Sequence, residues 1–121
     1  MSEQIYRAMA DQMRAAMADA PDDETAAYLD RAYADYITAA RHLRVAAMHE
    51  AAARADRGLA GQHFVRGARG LSDHFKQRAE AKDAAAAHLR QMAAAGAAQA
   101  EAHYAATLDP DAESSLRQDE E

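Results

Sequence analysis

The sequence predicts an all-α protein: a long antiparallel helical hairpin with a shorter N-terminal helix, of the helical-bundle type. Alanine, the strongest helix former, supplies 36 of the 121 residues, whereas β-branched residues are scarce and Trp is absent. The few Pro and Gly residues divide the chain into long uninterrupted segments. Apolar residues recur within these segments at helical spacing, which favours packed helices over a sheet.

Proline and glycine mark the ends of the first two predicted helices. A first helix is predicted over about residues 2–18, before Pro21. The second is predicted over 22–57, because Pro21 and the acids that follow it are typical of a helix start, and Gly58 is typical of a helix end. A Gly-rich turn over 58–71 then follows.

The last predicted helix leads into an acidic tail. Ser72 is expected to cap a third helix over 72–108. Beyond it the chain is rich in acids and has almost nothing to bury. We therefore predict one helical domain over 1–108 and an acidic, disordered tail over 109–121.

Both long helices carry apolar stripes suited to a helix–helix seam. On the second helix, large residues lie seven apart and alanines follow each of them by three residues, as in a coiled coil. These positions are Leu29, Tyr36 and Leu43 with Ala32, Ala39, Ala46 and Ala53. The third helix answers with Phe75, Ala79, Ala86, Leu89, Ala93, Ala100 and Tyr104. The Gly-rich segment between them predicts that the two helices fold back on each other.

The first helix has an apolar stripe at steps of four residues, formed by Ile5, Met9, Met13 and Met17. Core packing explains such a stripe, and so does a protein-binding surface, because methionine adapts to irregular partners. The whole chain has only 24 large apolar residues. That is few for a self-contained bundle, so we expect burial of apolar surface against a protein partner or a second copy.

Charge is segregated along the chain. The net charge is −6, yet residues 41–82 hold nine Lys and Arg against four acids, between two acidic segments. A hairpin would bring this basic segment to one end, the basic tip. Its candidate partner-binding residues are Arg57, Arg66, Arg69, Lys76 and Arg78. The primary hypothesis is a non-enzymatic protein-binding module, such as an adaptor, an assembly subunit or an inhibitor of another protein.

The alternative hypothesis is a nucleic-acid or phosphate-binding protein that acts through the same tip. Arg binds phosphate in a bidentate manner, and Gly beside Arg frees backbone N–H groups for an anion. Phe64 and Phe75 are aromatic residues that can stack on bases. The overall acidity of the chain opposes long-range attraction to nucleic acid.

Enzymatic and metal-binding functions have little support in the sequence. The chain has no Cys, and its His residues follow none of the common metal-ligand spacings. A His-based metal-binding bundle is a third hypothesis, in which His42 would lie level with His88 across the hairpin. We expect no enzymatic activity, no cofactor and no metal. Without signal-peptide features or a membrane-spanning apolar run, a cytoplasmic location is expected.

The heptad pattern yields a first prediction. Leu43→Ala is expected to lower the free energy of unfolding by about 2–5 kcal/mol, because a buried Leu would leave a cavity behind. Urea denaturation of both proteins measures the difference. A loss below about 0.5 kcal/mol would mean that Leu43 does not belong to the seam.

Overall fold

The computed structural model describes residues 2–108 and confirms the all-α prediction. These residues form three helices and no strand: α1 (Glu3–Ala18), α2 (Asp23–Val65) and α3 (Arg69–Leu108). α2 and α3 form the long helical hairpin, and α1 is the shorter N-terminal helix. The predicted acidic tail lies outside the described residues. Within residues 2–108, no helix is both long and apolar enough to cross a membrane.

Side-chain caps fix the starts of α1 and α2. The Ser2 hydroxyl accepts a hydrogen bond from the Ile5 backbone N–H at 3.3 Å, and Asp22 Oδ1 accepts one from the Thr25 N–H at 2.7 Å. The hydrogen bond from the Thr25 backbone also lowers the pKa of the Asp22 carboxyl. Asp22 therefore caps α2 from the position just before it, and α2 begins at Asp23, one residue later than predicted.

The predicted Gly-rich turn over 58–71 is wrong in its extent. Only residues 66–68 leave the helical conformation, so α2 does not end at 57 but continues through Gly58 and Gly61 to Val65. Each of these glycines costs a helix about 1 kcal/mol relative to Ala, and the helix nevertheless continues. Tertiary packing therefore overrides the local preference for a turn.

The start of α3 shows why helical structure continues into the predicted Gly-rich turn. α3 begins at Arg69 rather than at 72, and Ser72 is not its cap but a buried residue. Ser72 lies seven residues before the buried Ala79, and Ala60 of α2 is buried as well. Burial of small side chains on both helices thus continues up to the turn, and it stabilises helical backbone that the glycines alone would interrupt.

The chain divides into two compact units. Unit 1 is Met1–Arg41 with Met92–Glu121. It contains α1, whose buried residues are Tyr6, Ala10 and Met13. The Tyr6 ring lies 6.2 Å from the ring of Tyr36 on α2, so α1 buries an aromatic pair against the hairpin. Such a pair contributes about 0.5–1.5 kcal/mol of stability beyond the contribution of the apolar area that it buries.

The α2 and α3 segments of unit 1 approach each other closely. A Cβ atom added at Gly96 would lie 3.7 Å from the Asp35 carbonyl oxygen and 3.9 Å from the Ala39 Cβ atom. These are ordinary van der Waals distances to the backbone and to the smallest side chain of the neighbouring helix. The seam of unit 1 is therefore narrow at this level.

Unit 2, His42–Gln91, contains the hairpin turn and the adjoining halves of α2 and α3. Arg90 pairs with Glu50 and Arg57 pairs with Asp83, which fixes the antiparallel register of the two helices. Exposed ion pairs of this kind contribute at most about 1 kcal/mol each. They fix the register more than they stabilise the fold.

The predicted seam positions of α2 are all buried. They are Leu29, Ala32, Tyr36, Ala39, Leu43, Ala46 and Ala53. On α3 the four alanines of the predicted face are buried too: Ala79, Ala86, Ala93 and Ala100. Phe75 and Leu89 are half-buried. Tyr104 is exposed, contrary to prediction, and His103 is buried instead, because position 103 continues the seven-residue series through 75, 89 and 96.

The alanine seam yields a second prediction. Ala46 is fully buried, whereas its neighbour Ala47 is exposed. Ala46→Leu is expected to destabilise the protein by about 1–3 kcal/mol or more, because the larger side chain would force α2 and α3 apart. Ala47→Leu, the matched control, should change the free energy of unfolding by less than about 0.5 kcal/mol. Equal effects in urea denaturation would show that the seam is not tightly packed.

Candidate protein-binding surface

The hairpin turn is closed by its own backbone. Gly67 has a positive φ of 81°, its N–H donates to the Phe64 carbonyl at 3.0 Å, and the Ala68 N–H donates to the His63 carbonyl at 2.9 Å. This is the Schellman arrangement, in which glycine ends a helix in the left-handed conformation. The sequence predicts that glycine beside Arg frees its backbone N–H group for an anion. This prediction is wrong at Gly67, because the Gly67 N–H already donates to the Phe64 carbonyl.

The exposed residues around this turn are unusually apolar. Phe64 is 57 % exposed, Val65 is 85 % exposed, and Leu71 in the first turn of α3 is also exposed. Arg66 and Arg69 lie between them and are exposed as well. Within residues 2–108, neither of these two Arg residues forms an ion pair. We call this set (Phe64, Val65, Arg66, Arg69 and Leu71) the tip surface.

Two shallow grooves adjoin the tip surface, and Gly61 lines both of them. One, of about 420 Å³, is lined by Arg57, Ala60, Gly61, Lys76 and Glu80. The other, of about 390 Å³, is lined by Gly61, Gln62, Val65 and Arg66. A Cβ atom added at Gly61 would meet no described atom within 4 Å. The absent side chain thus leaves space beside exposed apolar residues, a shape that suits an inserted side chain.

The other predicted basic residues do not join Arg66 and Arg69 in one free patch. Arg57 is paired with Asp83, and Arg78 Nε lies 3.7 Å from Asp56 Oδ2. The Lys76 ammonium lies 5.8 Å from the centre of the Phe64 ring, within cation–π range. Of the five predicted residues, Lys76 therefore adjoins the tip surface, while Arg57 and Arg78 are held by carboxylates.

Asp56 is the centre of the charge network in unit 2, although no sequence pattern singles it out. Its side chain is buried, its Oδ2 accepts a hydrogen bond from Lys82 Nζ at 2.5 Å, and Arg78 approaches the same oxygen. The Lys82 hydrogen bond holds the pKa of the Asp56 carboxyl below its usual range, against the opposing effect of burial. Positions 56 and 82 lie close together because of the antiparallel register of α2 and α3, which the sequence alone does not specify.

Phe75 is not available to stack on a base. Its ring stacks on His63, with centres 5.4 Å apart and planes 2° from parallel, and the Arg78 guanidinium lies 5.5 Å from the ring centre. Phe75 is also half-buried. Of the two aromatic residues singled out for nucleic-acid binding, only Phe64 presents an exposed ring.

The predicted methionine stripe of α1 is divided between core and surface. Met13 is buried, Met9 and Met17 are half-buried, and Ile5 is 47 % exposed. A four-residue step turns about 40° beyond one full helical turn, so residues at that spacing drift off the packed face. The buried face follows Tyr6 and Met13 instead, seven residues apart. Of the four stripe residues, Met13 therefore belongs to the buried face of α1, whereas Ile5 lies outside it.

Among residues 2–108, no three His, Asp or Glu residues are grouped so that they could hold a metal ion. Glu50 faces Arg90 across the hairpin, so the register that was expected to set His42 level with His88 is wrong. His103, which no metal-ligand spacing in the sequence singles out, is buried, and its Nε2 lies 3.8 Å from Asp35 Oδ2. Burial raises the pKa of the Asp35 carboxyl, and His103 acts in the opposite direction.

Comparison of the chain with protein-family models, with curated proteins and with solved structures finds no match.

The ion pairs of Asp56 yield a third prediction. Asp56→Asn should lower the free energy of unfolding most above about pH 4, because the paired carboxylate of the folded protein has a pKa below the unfolded value of about 3.9. Its contribution is complete above the unfolded pKa and is lost as the pH falls through the folded pKa. Urea denaturation of both proteins at about pH 6 and about pH 2.5 measures this. A constant difference would contradict stabilisation by these pairs.

Proposed function

We propose that this chain is a non-enzymatic protein-binding helical module that acts as an adaptor, an assembly subunit or an inhibitor through its tip surface. One observation supports it most. Three exposed apolar side chains, Phe64, Val65 and Leu71, lie on the two sides of the turn, close in sequence to the exposed Arg66 and Arg69. Exposed apolar side chains close to free guanidinium groups are typical of protein interfaces, where aromatic residues and Arg supply most of the binding energy.

The charge distribution indicates the chemistry of the partner. Unit 2 has nine Lys and Arg against five acids, whereas the rest of the chain has five Arg against fifteen acids. An acidic partner is attracted to the tip and repelled by the remainder of the molecule, which orients its approach. We therefore expect an acidic protein surface with at least one large apolar side chain to fit beside Gly61.

Nucleic-acid binding remains the second candidate, because the exposed Phe64 ring is close in sequence to Arg66 and Arg69. The ion pairs of unit 2 favour protein over nucleic acid. Four of its nine cations are bound to carboxylates: Arg57, Arg78, Lys82 and Arg90. Each paired cation contributes less to phosphate binding, because its carboxylate partner must first be displaced.

A cytoplasmic location stays part of the proposal.

Site-specific photo-crosslinking in living cells of the native host tests the proposal. A photoreactive phenylalanine analogue replaces Phe64, and the matched control carries it in place of the exposed Tyr104. We expect a discrete protein adduct from position 64 that position 104 does not give. Adducts that nuclease removes would instead support nucleic-acid binding, and the absence of any adduct specific to position 64 would refute the proposal.

Charge reversal at the tip yields a fourth prediction. Arg66→Glu with Arg69→Glu should abolish the adduct and slow association with the captured partner, because attraction between unlike charges speeds encounter. Binding of the parent protein should weaken as salt rises from about 50 to 500 mM. Circular dichroism should stay unchanged, since an exposed turn contributes little packing.

A matched control separates the tip surface from net charge alone. Arg41→Glu with Arg54→Glu changes the net charge by the same amount at two exposed positions of α2 that are outside the tip surface. This variant should keep most of the association rate. If both double variants bind like the parent protein at every salt concentration, the tip surface does not mediate binding.

A further inference from the structure

The acidic tail has the two features that the tip surface requires of a partner. Residues 109–121 hold six acids against one Arg, and Leu116 is their one large apolar residue. Glu113 precedes Leu116 by three residues, and three consecutive acids follow it at 119–121. The chain therefore contains a short acidic segment with one apolar side chain between its acids.

The tip surface offers matching groups to such a segment. Gly61, Gln62, Val65 and Arg66 line the groove of about 390 Å³, so an exposed cation borders an apolar recess. Arg66 and Arg69 are exposed, and neither forms an ion pair within residues 2–108. Their guanidinium groups can therefore bind carboxylates without the displacement of a described partner.

The acidic tail cannot place Leu116 on the tip surface of its own copy. α3 is one helix from Arg69 to Leu108, so about 56 Å of helix separates Leu71 from Leu108. Leu116 comes eight residues after Leu108, and eight extended residues span at most about 29 Å. If the acidic tail binds a tip surface, that surface therefore belongs to a second copy.

We infer that the acidic tail of a second copy binds the tip surface, with Leu116 in the groove beside Gly61 and the flanking acids on Arg66 and Arg69. This inference rests on the proposed function and names a partner for the same surface. Twofold symmetry makes the contact reciprocal, so each tip surface holds the acidic tail of the other copy. The second contact then forms within the pair, at an effective concentration of about 1 mM, and two small contacts give one dimer.

The distribution of charge favours this contact over other contacts between copies. Unit 2 has more cations than acids, whereas the rest of the chain, which includes the acidic tail, has more acids than cations. Two tip surfaces repel each other and two acidic tails repel each other, while a tail and a tip surface attract. Dimerisation should therefore weaken about tenfold or more as salt rises from about 50 to 500 mM.

Photo-crosslinking between isotope-labelled copies of the full chain tests the contact. Unlabelled protein with a photoreactive phenylalanine analogue at position 64 is mixed with ¹⁵N-labelled parent protein, each at about 50 µM. We expect adducts that join an unlabelled to a labelled copy and whose second site lies within 109–121. The matched control carries the analogue at Met48, which is exposed on α2 outside the tip surface, and should not give them.

The crosslinked sites decide the outcome. Adducts confined to one copy, adducts to other sites of the second copy, or no adduct between copies would overturn the inference. None of these results bears on the capture of a different protein at position 64 in cells. Failure of this inference is therefore distinct from failure of the proposed function.

Sedimentation equilibrium tests the same contact without a covalent bond. At about 50 mM salt, the parent protein should dimerise with a dissociation constant of about 10–100 µM. Leu116→Ser with Asp119→Asn and Glu120→Gln should weaken the dimer at least about tenfold, because the apolar side chain and two carboxylates are removed. The matched control removes the same groups at exposed positions of unit 1: Leu108→Ser, Asp11→Asn and Glu101→Gln.

The control variant should dimerise within about threefold of the parent protein, since it keeps both the acidic tail and the tip surface. A parent protein that stays monomeric up to about 500 µM would overturn the inference. A tail variant that dimerises as well as the parent protein would overturn it too.

Discussion

The close approach of α2 and α3 is the constraint on which the rest of the structure depends. Small buried side chains line the seam on both helices. They are Ala32, Ala39, Ala46, Ala53 and Ala60 on α2, and Ser72, Ala79, Ala86, Ala93 and Ala100 on α3. Such a seam buries little apolar area per residue, but its close packing gains many van der Waals contacts. It also carries α2 through two glycines that would otherwise end the helix.

The positions beside the seam decide what else each part of the hairpin does. One seven-residue series on α2 reads Leu29, Tyr36, Leu43, Glu50 and Arg57. In unit 1, Tyr36 is covered by Tyr6 of α1. In unit 2, Glu50 and Arg57 form ion pairs across the hairpin. This heptad position thus changes from apolar residues in unit 1 to charged residues in unit 2. In unit 1 it packs against the third helix, α1, whereas in unit 2 it forms ion pairs between α2 and α3.

The periodicity of the sequence predicted the fold, whereas local signals placed the turn wrongly. The heptad of α2 was predicted correctly because a period integrates many residues, and chance exceptions do not shift it. The Gly-rich segment predicts a longer turn than the structure has, because each glycine disfavours a helix. Ala60 and Ser72, whose burial opposes that preference, are small residues without a distinctive sequence signal. Tyr104 is a large residue that hydrophobicity alone predicts to be buried, but position 103, not 104, belongs to the seven-residue series of α3, and His103 is buried instead.

The candidate site was predictable only in part for a related reason. The charge of residues 41–82 indicated a basic end, and Arg66 and Arg69 lie exposed at the turn. Which cations are already paired depends on the register between the helices. Asp56 accepts a hydrogen bond from Lys82, whose neighbours in the chain are Ala81 and Asp83, so a shift of one residue would remove this contact. Single-chain patterns do not specify that register. The pairing of Arg57 and Arg78 with carboxylates was therefore outside the reach of the sequence.

The alanine seam has a consequence for local unfolding. Unit 1 buries the large side chains of Tyr6, Met13, Tyr28, Leu29 and Tyr36, whereas Leu43 is the one large apolar residue among the buried residues described in unit 2. The free energy of opening a segment follows the apolar area that it buries, so unit 2 opens locally at a lower cost than unit 1. Backbone amides near the turn should exchange with solvent faster than those of unit 1. A partner bound at the tip would suppress that opening by mass action, so binding there would also act as a clamp on the end of the hairpin.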